Sequence, residues 1–185
     1  METFFIADCH FGHKNVIKYC DRPYSSIEEM DEDMIEKWNK KVYKNDKIYI
    51  IGDLFYFKID NVISILDRLK GKMTLIRGNH DDFFLKKINP DKYFTDILYY
   101  QEIQLKEKKL TLCHYPMYSW RDSRRKDSYL VFGHVHNNKD MFWFDYYCQN
   151  NKALNAGVDI NNFEPVNFDE LKKNNEYFKE CYRVN

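Results

Sequence analysis

Five short apolar runs in this chain each end beside a side chain that can bind a metal ion. They are TFFIA (3–7) before Asp8 and His10, KIYIIG (47–52) before Asp53, MTLIRG (73–78) before Asn79 and His80, KKLTLC (108–113) before His114, and YLVFG (129–133) before His134 and His136. Short runs of this composition are typical of buried strands. Ligands of α/β proteins collect outside the carboxyl ends of the strands, so we expect these side chains to share one edge.

Helical patterns separate the first three runs. The stronger pattern lies near 26–44, with Ser25 or Ser26 as a helix cap and acidic residues in its first turn. Another lies near 59–70. This alternation predicts an α/β fold whose parallel strands are buried on both faces.

The second half is richer in strand patterns. Strands are predicted at 96–105, 108–114, 129–136, 141–147 and 152–159, and a closing amphipathic helix at 168–182. The first two of these strands should pair antiparallel, and the aromatic run MFWFDYY (141–147) is predicted as a core strand. No repeat or long linker divides the chain, so we expect a single domain over residues 1–185.

The balance of charges disfavours two classes of binding partner. Lys+Arg and Asp+Glu are both 29, so no global field favours polymeric nucleic acid or an anionic membrane. No apolar run approaches the roughly 20 residues that a membrane span needs. The five cysteines are widely spaced without a CxxC pair, which argues against a disulfide framework and a thiolate zinc site. We therefore expect a cytoplasmic protein.

The polar strand ends combine carboxylates, imidazoles and one amide, without a thiolate. This ligand set suits Mn²⁺, Fe or Zn²⁺. These groups are too many for one tetrahedral ion, whereas two ions roughly 3.5–4 Å apart, bridged by one carboxylate, serve displacement at phosphorus. Taken singly, each Asp or Asn is more often a turn former. Their coincidence at five strand ends favours a binding site.

Three glycines support the same interpretation. Gly52, Gly78 and Gly133 each precede a candidate ligand. Glycine lets the backbone bend sharply or approach closely where a bulkier residue would clash. Residues i and i+2 of extended chain point to the same side, so Asp8 with His10, and His134 with His136, should form pairs.

The ordered motifs resemble the calcineurin-like metallophosphoesterases. That family's pattern of D-x-H, G-D, G-N-H-[DE], H and G-H-x-H stands here as Asp8-Cys9-His10, Gly52-Asp53, Gly78-Asn79-His80-Asp81, His114 and Gly133-His134-Val135-His136. The stretches ADCHFGHKNVIKYC, CHYP and NAGVD further resemble a small bacterial or phage-type branch. The resemblance implies a four-layer α/β/β/α sandwich of two mixed sheets.

The resemblance also implies a dinuclear centre of two divalent ions. Manganese is favoured, with iron, zinc or nickel as alternatives. One ion would be held by Asp8, His10 and His136, the other by Asn79, His114 and His134, and Asp53 would bridge them. Water activated by the ions would attack phosphorus directly. His80 would protonate the departing alkoxide, and Asp81 would orient its ring.

The chain holds further candidate substrate-binding residues. His13 either reaches the phosphate or caps the next helix, and Arg77 and Tyr115 either line the cleft or serve the structure. The basic segment 119–126 either contacts substrate through Arg124 and Arg125 or is a solvated loop.

Two acidic residues have simpler interpretations. Asp159 is interpreted as a structural turn residue. Asp82 is interpreted as a cap or first-turn acid of a helix.

The predicted function is hydrolysis of a phosphomonoester or phosphodiester, with a nucleotide or cyclic nucleotide as the favoured small substrate. A protein serine/threonine phosphatase is the first alternative. A nuclease would need a continuous basic groove. A catalytically silent binding scaffold would be unexpected, because His80 and all seven ligand positions are intact.

Overall fold

The computed structural model describes residues 1–56, 61–139 and 144–183. Its strands are β1 Thr3–Ile6, β2 Lys47–Ile50, β3 Lys72–Ile76, β4 Phe94–Leu98, β5 Tyr100–Leu105, β6 Lys108–Cys113, β7 Ser128–Phe132 and β8 Ala153–Asn155. Its α-helices are α1 Lys14–Tyr19, α2 Ile27–Lys41, α3 Val62–Leu66, α4 Asp81–Leu85, α5 Phe144–Gln149 and α6 Phe168–Arg183. Short 3-10 helices cover Pro90–Lys92 and Val158–Ile160.

The strands form two four-stranded sheets. The first has the order β1-β2-β3-β4 and only parallel pairs. The second has the order β5-β6-β7-β8, in which β5 pairs antiparallel with β6 and the remaining pairs are parallel. The predicted fold class is confirmed, with a parallel first sheet where a mixed one was expected. Helical crossovers between β1, β2 and β3 return the chain in the same direction, which makes that sheet parallel.

The alternation of side chains along β1 shows how the layers stack. Phe4 and Ile6 pack with the helices on the outer face of the first sheet. Phe5 and Ala7 face the apolar layer between the two sheets. Helices α5 and α6 contribute to a third apolar cluster with β7 and β8. This arrangement gives the sandwich its layers, because successive strand residues point to opposite faces.

Helix α2 begins as its sequence predicts. Ser26 is the cap: its side chain accepts the N–H of Glu29 at 3.1 Å, and the carboxylate of Glu29 accepts hydrogen bonds from Ser25. The bond to Ser26 satisfies the N–H of Glu29, which the first helical turn leaves free, and the bonds from Ser25 tie the preceding residue to the helix. Of the helix predicted near 59–70, residues 59 and 60 lie outside the described part, and the described helix α3 ends at Leu66, before the predicted end.

Two predicted strands differ in the structure, and the strands predicted at 129–136 and 152–159 end early, as β7 and β8. The run 96–105 divides between β4 in the first sheet and β5 in the second, with Tyr99 at the crossing. The run MFWFDYY is helical over the described residues 144–147, and its residues 141–143 lie outside the described part. Phe144, Tyr147 and Cys148 are buried at helical spacing, which explains why an aromatic run forms a helix here.

Within the described residues, no helix has both the length and the apolar character that crossing a membrane requires.

Candidate metal centre

The polar strand ends meet at the edge where the two sheets are joined. Ala7, directly after β1, donates its N–H to the carbonyl of Ala156 at 2.9 Å, and its own carbonyl accepts the N–H of Val158 at 3.0 Å. Asp8 donates its N–H to the carbonyl of Gly52 at 3.0 Å. The segments after β1, β2 and β8 are therefore held side by side, and both sheets contribute side chains to one site.

Five polar residues at this edge have left-handed backbone. Their φ values are 56° for Asp8, 51° for His10, 55° for Asp53, 73° for His134 and 52° for His136. Such conformations cost about 1–3 kcal/mol each in non-glycine residues and cluster at functional sites. The expectation that these pairs lie on extended chain is therefore wrong. The chain turns at each residue, so that His134 and His136 reach different groups of ligands.

The glycines permit close approach at this edge, as predicted. A Cβ on Gly52, whose φ is +82°, would collide with the ring of His114. A Cβ on Gly78 would collide with the carboxylate of Asp53. Any larger residue at either position would displace a candidate ligand.

Asp8, His10 and His136 form the first ligand group. Their ligand atoms all lie within 4.8 Å of one another. The carboxylate oxygens of Asp8 accept the N–H of His134 at 3.0 and 2.9 Å. Burial raises the pKa of Asp8 to about 6, although the nearby His136 acts to lower it. A positive charge in this group would favour the ionised carboxylate.

Asp53, His114 and His134 form the second ligand group, and their ligand atoms also lie within 4.8 Å of one another. Asn79 adjoins them, with its Oδ1 atom 3.2 Å from Nε2 of His114. Nδ1 of His114 lies 2.8 Å from the carbonyl oxygen of Ile51, which can accept its proton. This hydrogen bond orients the ring so that Nε2 of His114 points towards the other members of the second ligand group.

Asp53 lies between the two groups. Its Oδ2 atom is 3.7 Å from Nε2 of His10 and 3.5 Å from Nε2 of His114. Its Oδ1 atom accepts the N–H of His80 at 2.9 Å. Burial opposes ionisation of Asp53, but the contacts with His114 and His10 and the backbone N–H of His80 together outweigh it and lower the pKa of Asp53 to about 2. One ionised carboxylate therefore faces both groups.

The residues present fit divalent metal ions. Burial acts to lower the pKa of His114 and His136, yet contacts with neighbouring carboxylates raise it to about 9 and about 11. Protons on these two rings thus supply the positive charge that the buried Asp8 and Asp53 need. Metal ions would supply the same charge in exchange for the protons, and the nitrogen and oxygen donors suit manganese, iron or zinc.

His80 lies beside Asp53 without belonging to either ligand group. Its Nε2 atom is 4.0 Å from Oδ2 of Asp53, and its ring centroid is 5.4 Å from that of His10. The side chain is 33% exposed. It therefore contacts both the ligand groups and the open cleft, the position that a proton donor to a bound ester needs.

Asp81 differs from its expected role. Its buried carboxylate accepts three backbone N–H groups, from Asp53 at 2.9 Å, Leu54 at 3.0 Å and Gly78 at 2.7 Å. Both oxygens are thus bound to backbone groups, so the structure does not support the expectation that Asp81 orients the His80 ring. Asp81 instead ties the loop after β2 to the loop after β3, which fixes the position of Asp53.

A cleft of about 700 Å³ opens beside the ligand groups. His13 lines it and stacks on Tyr56, with ring centroids 3.6 Å apart and planes 6° apart. His13 occupies the cap position of α1, but its side chain makes no capping hydrogen bond. Burial lowers the pKa of His13 to about 4, so the ring is neutral at pH 7. The structure thus places the side chain in the cleft rather than on the helix.

Arg77 is engaged outside the cleft. Its guanidinium pairs with Asp82 and lies 4.6 Å from the centroid of the Tyr99 ring. Asp82 is an acid in the first turn of α4, as expected. Arg77 is not among the described residues that line the cleft, so the structure does not support its predicted contact with substrate.

The basic segment 119–126 lies at the opposite end of the second sheet. It leads into the amino end of β7, whereas His134 follows the carboxyl end of the same strand. Arg125 pairs with Asp127, and Arg124 is exposed. Because β6 and β7 run parallel, this loop is separated from the ligand groups by the strand length. The structure therefore does not support the predicted contact of Arg124 and Arg125 with substrate.

Asp159 and Arg22 are residues of the site that sequence reasoning missed. Asp159 was interpreted as a turn residue, but its Oδ2 atom lies 2.7 Å from Nδ1 of His136. Arg22 forms a buried ion pair with Asp159 at 2.8 Å. The only signal for Asp159 was its place after the run NAGV, at the end of another strand; Arg22 sits in a polar loop without any such signal.

Comparison with known proteins agrees with this architecture. A sequence model of the family described as calcineurin-like phosphoesterase matches residues 1–177. Uncharacterized protein MJ1445 of Methanocaldococcus jannaschii is 32% identical over 174 residues, or 93% of this chain and 90% of that protein. The Gene 66 protein of Mycobacterium phage L5 is 32% identical over 82 residues, which are 43% of this chain and 39% of the phage protein.

A solved structure is similar over nearly the whole chain. The protein of unknown function AQ665 from Aquifex aeolicus has a TM-score of 0.70 and 27% sequence identity, and the match covers 92% of this chain and 97% of that one. The family match spans all the motifs from Asp8 to His136 and continues past them. The chain belongs to the calcineurin-like phosphoesterases.

Proposed function

We propose that this chain hydrolyses a phosphomonoester or phosphodiester with two divalent metal ions, of which manganese is favoured and iron, zinc or nickel are alternatives. Asp8, His10 and His136 would hold one ion and Asn79, His114 and His134 the other. The observation that carries the proposal is the position of Asp53, whose Oδ2 atom lies within 3.7 Å of Nε2 of His10 and 3.5 Å of Nε2 of His114.

Two bound ions would neutralise charge on the phosphoryl group and lower the pKa of water. The chain's own residues supply the remaining functions. Asp53 keeps one oxygen bound to the backbone N–H of His80, which leaves Oδ2 directed at both ligand groups. This fixed carboxylate sets the spacing between the two positions, so that the phosphoryl group is held in a single orientation.

His80 would donate the proton to the leaving oxygen. Its backbone is held by Asp53, while its partly exposed ring faces the cleft. A departing alkoxide is a poor leaving group without a proton, and positioned proton transfer contributes about 10²- to 10⁴-fold to a rate. Asp81 would act indirectly by fixing the loops that carry Asp53 and His80.

A nucleotide or cyclic nucleotide is the substrate that the cleft supports best. Its volume of about 700 Å³ is suited to a small molecule. His13, Tyr19 and Tyr56 line one wall and provide aromatic faces next to the ligand groups. Aromatic side chains are sequence-tolerant stacking partners for nucleobases. A protein serine/threonine phosphatase remains the alternative within the family, without an observation that favours it.

Two further alternatives have less support. Among the described residues that line the cleft, Lys139 is the one lysine or arginine, whereas a nuclease needs a basic groove along the polymer. A silent scaffold would not need His80 and both ligand groups in place. The free state of the five cysteines is consistent with a reducing compartment, so the proposal includes a cytoplasmic location.

The test is a substrate screen of the manganese-loaded protein. Bis-p-nitrophenyl phosphate and p-nitrophenyl phosphate would separate diesterase from monoesterase activity, and a panel of nucleotides and cyclic nucleotides would follow. We expect hydrolysis of at least one nucleotide with a higher kcat/KM than the nitrophenyl esters. Hydrolysis of the nitrophenyl esters alone would contradict the substrate class, and no hydrolysis with two ions bound would contradict the enzyme.

A further inference from the structure

Arg22 is a buried cation that contacts the surroundings of the first ligand group at several points. The residue is 4% exposed and lies in the loop between α1 and α2. Its Nη2 atom donates to the carbonyl of Asp8 at 2.8 Å, and its Nη1 atom donates to the carbonyl of Cys9 at 2.9 Å. One guanidinium thus binds the turn that presents Asp8 and His10.

The same guanidinium reaches the third member of that group through Asp159. Nε of Arg22 donates to Oδ1 of Asp159 at 2.8 Å, and Nη2 lies 3.3 Å from its Oδ2 atom. Oδ2 of Asp159 also contacts Nδ1 of His136 at 2.7 Å. An ionised carboxylate is only an acceptor, so Nδ1 carries the proton and Nε2 is left for a metal ion.

The left-handed turns explain why such an anchor is needed. Asp8, His10 and His136 all have positive φ, a conformation that persists only when surrounding contacts impose it. Arg22 binds the carbonyls at positions 8 and 9, while the side-chain amide of Asn155 donates to the carbonyl of His136 at 2.8 Å. The backbone on both sides of the first group is therefore held by buried side chains.

We propose that Arg22 and Asp159 form a positioning clamp for one of the two metal ions, the ion held by Asp8, His10 and His136. This Arg22–Asp159 clamp rests on the metal-binding part of the proposed function. It orients three ligands and contributes no net charge, because the guanidinium balances the carboxylate.

Two ligands of the second group, His114 and Asp53, are oriented by atoms outside the clamp, and only the backbone of His134 is bound by Asp8, so the clamp should act selectively. The ring of His114 is fixed by the carbonyl of Ile51, and Asp53 is fixed by the backbone N–H of His80. Neither Arg22 nor Asp159 donates to these ligands in the described part of the chain. Loss of the clamp should weaken the binding of one metal ion and leave the binding of the other unchanged.

The test measures Mn²⁺ binding to the full chain by calorimetry and by electron paramagnetic resonance. Asp159→Asn keeps the size of the side chain but offers one acceptor oxygen to two donors. Arg22→Lys keeps the charge but replaces a planar fork with a single ammonium that cannot serve four oxygens in the same geometry. The matched controls are Asp67→Asn and Arg68→Lys, which alter exposed ion pairs with Lys92 and Glu32.

Both clamp variants should lose about 10- to 100-fold in affinity for one of two manganese ions. Their resonance spectra at limiting manganese should change from that of a coupled pair to that of a single ion, and both controls should match the wild type. Unchanged affinities in Asp159→Asn or Arg22→Lys would overturn the clamp. An equal loss at both positions, as general structural damage would give, would overturn it as well.

The outcome also separates the clamp from the proposed function. If the wild-type chain binds two manganese ions and the variants bind them equally, only the clamp fails. If the wild-type chain binds none, the dinuclear site of the proposed function fails with it.

Discussion

Oδ2 of Asp53 lies 3.5 Å from Nε2 of His114, although the two residues follow strands of different sheets. Asp53 follows β2 of the first sheet and His114 follows β6 of the second. Against the effect of burial, their contact contributes to lowering the pKa of Asp53 to about 2 and to raising the pKa of His114 to about 9. The site is therefore formed where the two sheets meet, and neither sheet supplies all of its residues.

Replacing Asp53 by Asn should remove one metal ion. The amide keeps the shape of the carboxylate but loses the negative charge between two dications, so we expect manganese content to fall from about two ions per chain to about one. Elemental analysis of the dialysed protein measures this. Asp67→Asn, an exposed change at a residue that pairs with Lys92, is the control. Two ions in Asp53→Asn would contradict the bridging role.

Metal binding should release protons. At pH 7.5 the metal-free chain carries protons on His114 and His136, whose pKa values of about 9 and about 11 exceed the ordinary value. We expect release of about two protons per two manganese ions at pH 7.5, and about one at pH 9.5, where His114 is largely neutral. Calorimetry in buffers of different ionisation enthalpy measures the number of protons released. If no proton is released at pH 7.5, metal ions do not replace the protons of His114 and His136.

The same shifts fix the sign of the pH dependence of stability. A raised pKa in the folded state stabilises the metal-free fold fully below the unfolded value of about 6.5. This contribution is lost as the pH rises through the folded values of about 9 and about 11. The metal-free protein should therefore lose stability as the pH rises from neutral into the alkaline range. Its affinity for manganese should increase over the same range.

Replacing His80 by Ala should affect substrates according to their leaving groups. We expect kcat for an alkyl phosphodiester to fall about 10²- to 10⁴-fold because its leaving alkoxide needs a proton. Hydrolysis of bis-p-nitrophenyl phosphate, whose leaving group is stable as an anion, should fall much less. Manganese content is the control and should stay near that of the wild type, since His80 is in neither ligand group. An equal fall for both esters would contradict its role as the acid.

Removing charge from the 119–126 loop should leave catalysis unchanged. Arg124 and Arg125 lie at the amino end of β7, away from the cleft. We expect Arg124→Gln with Arg125→Gln to keep KM and kcat for a nucleotide substrate. Lys139→Gln, at a residue that lines the cleft, serves as the comparison and should raise KM. A raised KM in the loop variant would show that the loop contacts substrate.

The ligand groups could be predicted because strand ends carry a direct sequence signal. Asp8, Asp53, Asn79, His114 and His134 each follow a short apolar run, and parallel strands bring such positions to one edge. The resemblance to the calcineurin-like metallophosphoesterases supplied the assignment of these ligands to two groups. The prediction of a single domain over residues 1–185 stays a prediction.

The residues that support the ligands were harder to predict, because they act through long-range contacts. Arg22 and Asp159 are 137 positions apart, and nothing local to either indicates the other. Asp81 accepts backbone N–H groups from residues 27 and 28 positions away. Its place next to His80 in the sequence instead suggested a local contact between the two side chains. Contacts of this kind depend on the completed packing of both sheets.

The two errors in secondary structure have a similar cause. The run 96–105 has strand character throughout, and only its neighbours β3 and β6 decide that it divides at Tyr99. Residues 144–147 have an aromatic composition that is typical of strands, but burial of Phe144, Tyr147 and Cys148 on one face favours a helix. In both segments tertiary packing overrides the local preference.

The most direct test of the account is the rate of bis-p-nitrophenyl phosphate hydrolysis as manganese is added stepwise to the metal-free protein. The position of Asp53 beside both ligand groups predicts negligible hydrolysis without metal and a rate that rises to a plateau at about two equivalents. Hydrolysis by the metal-free protein, or a plateau at one equivalent with the Asp53→Asn variant equally active, would contradict a dinuclear centre.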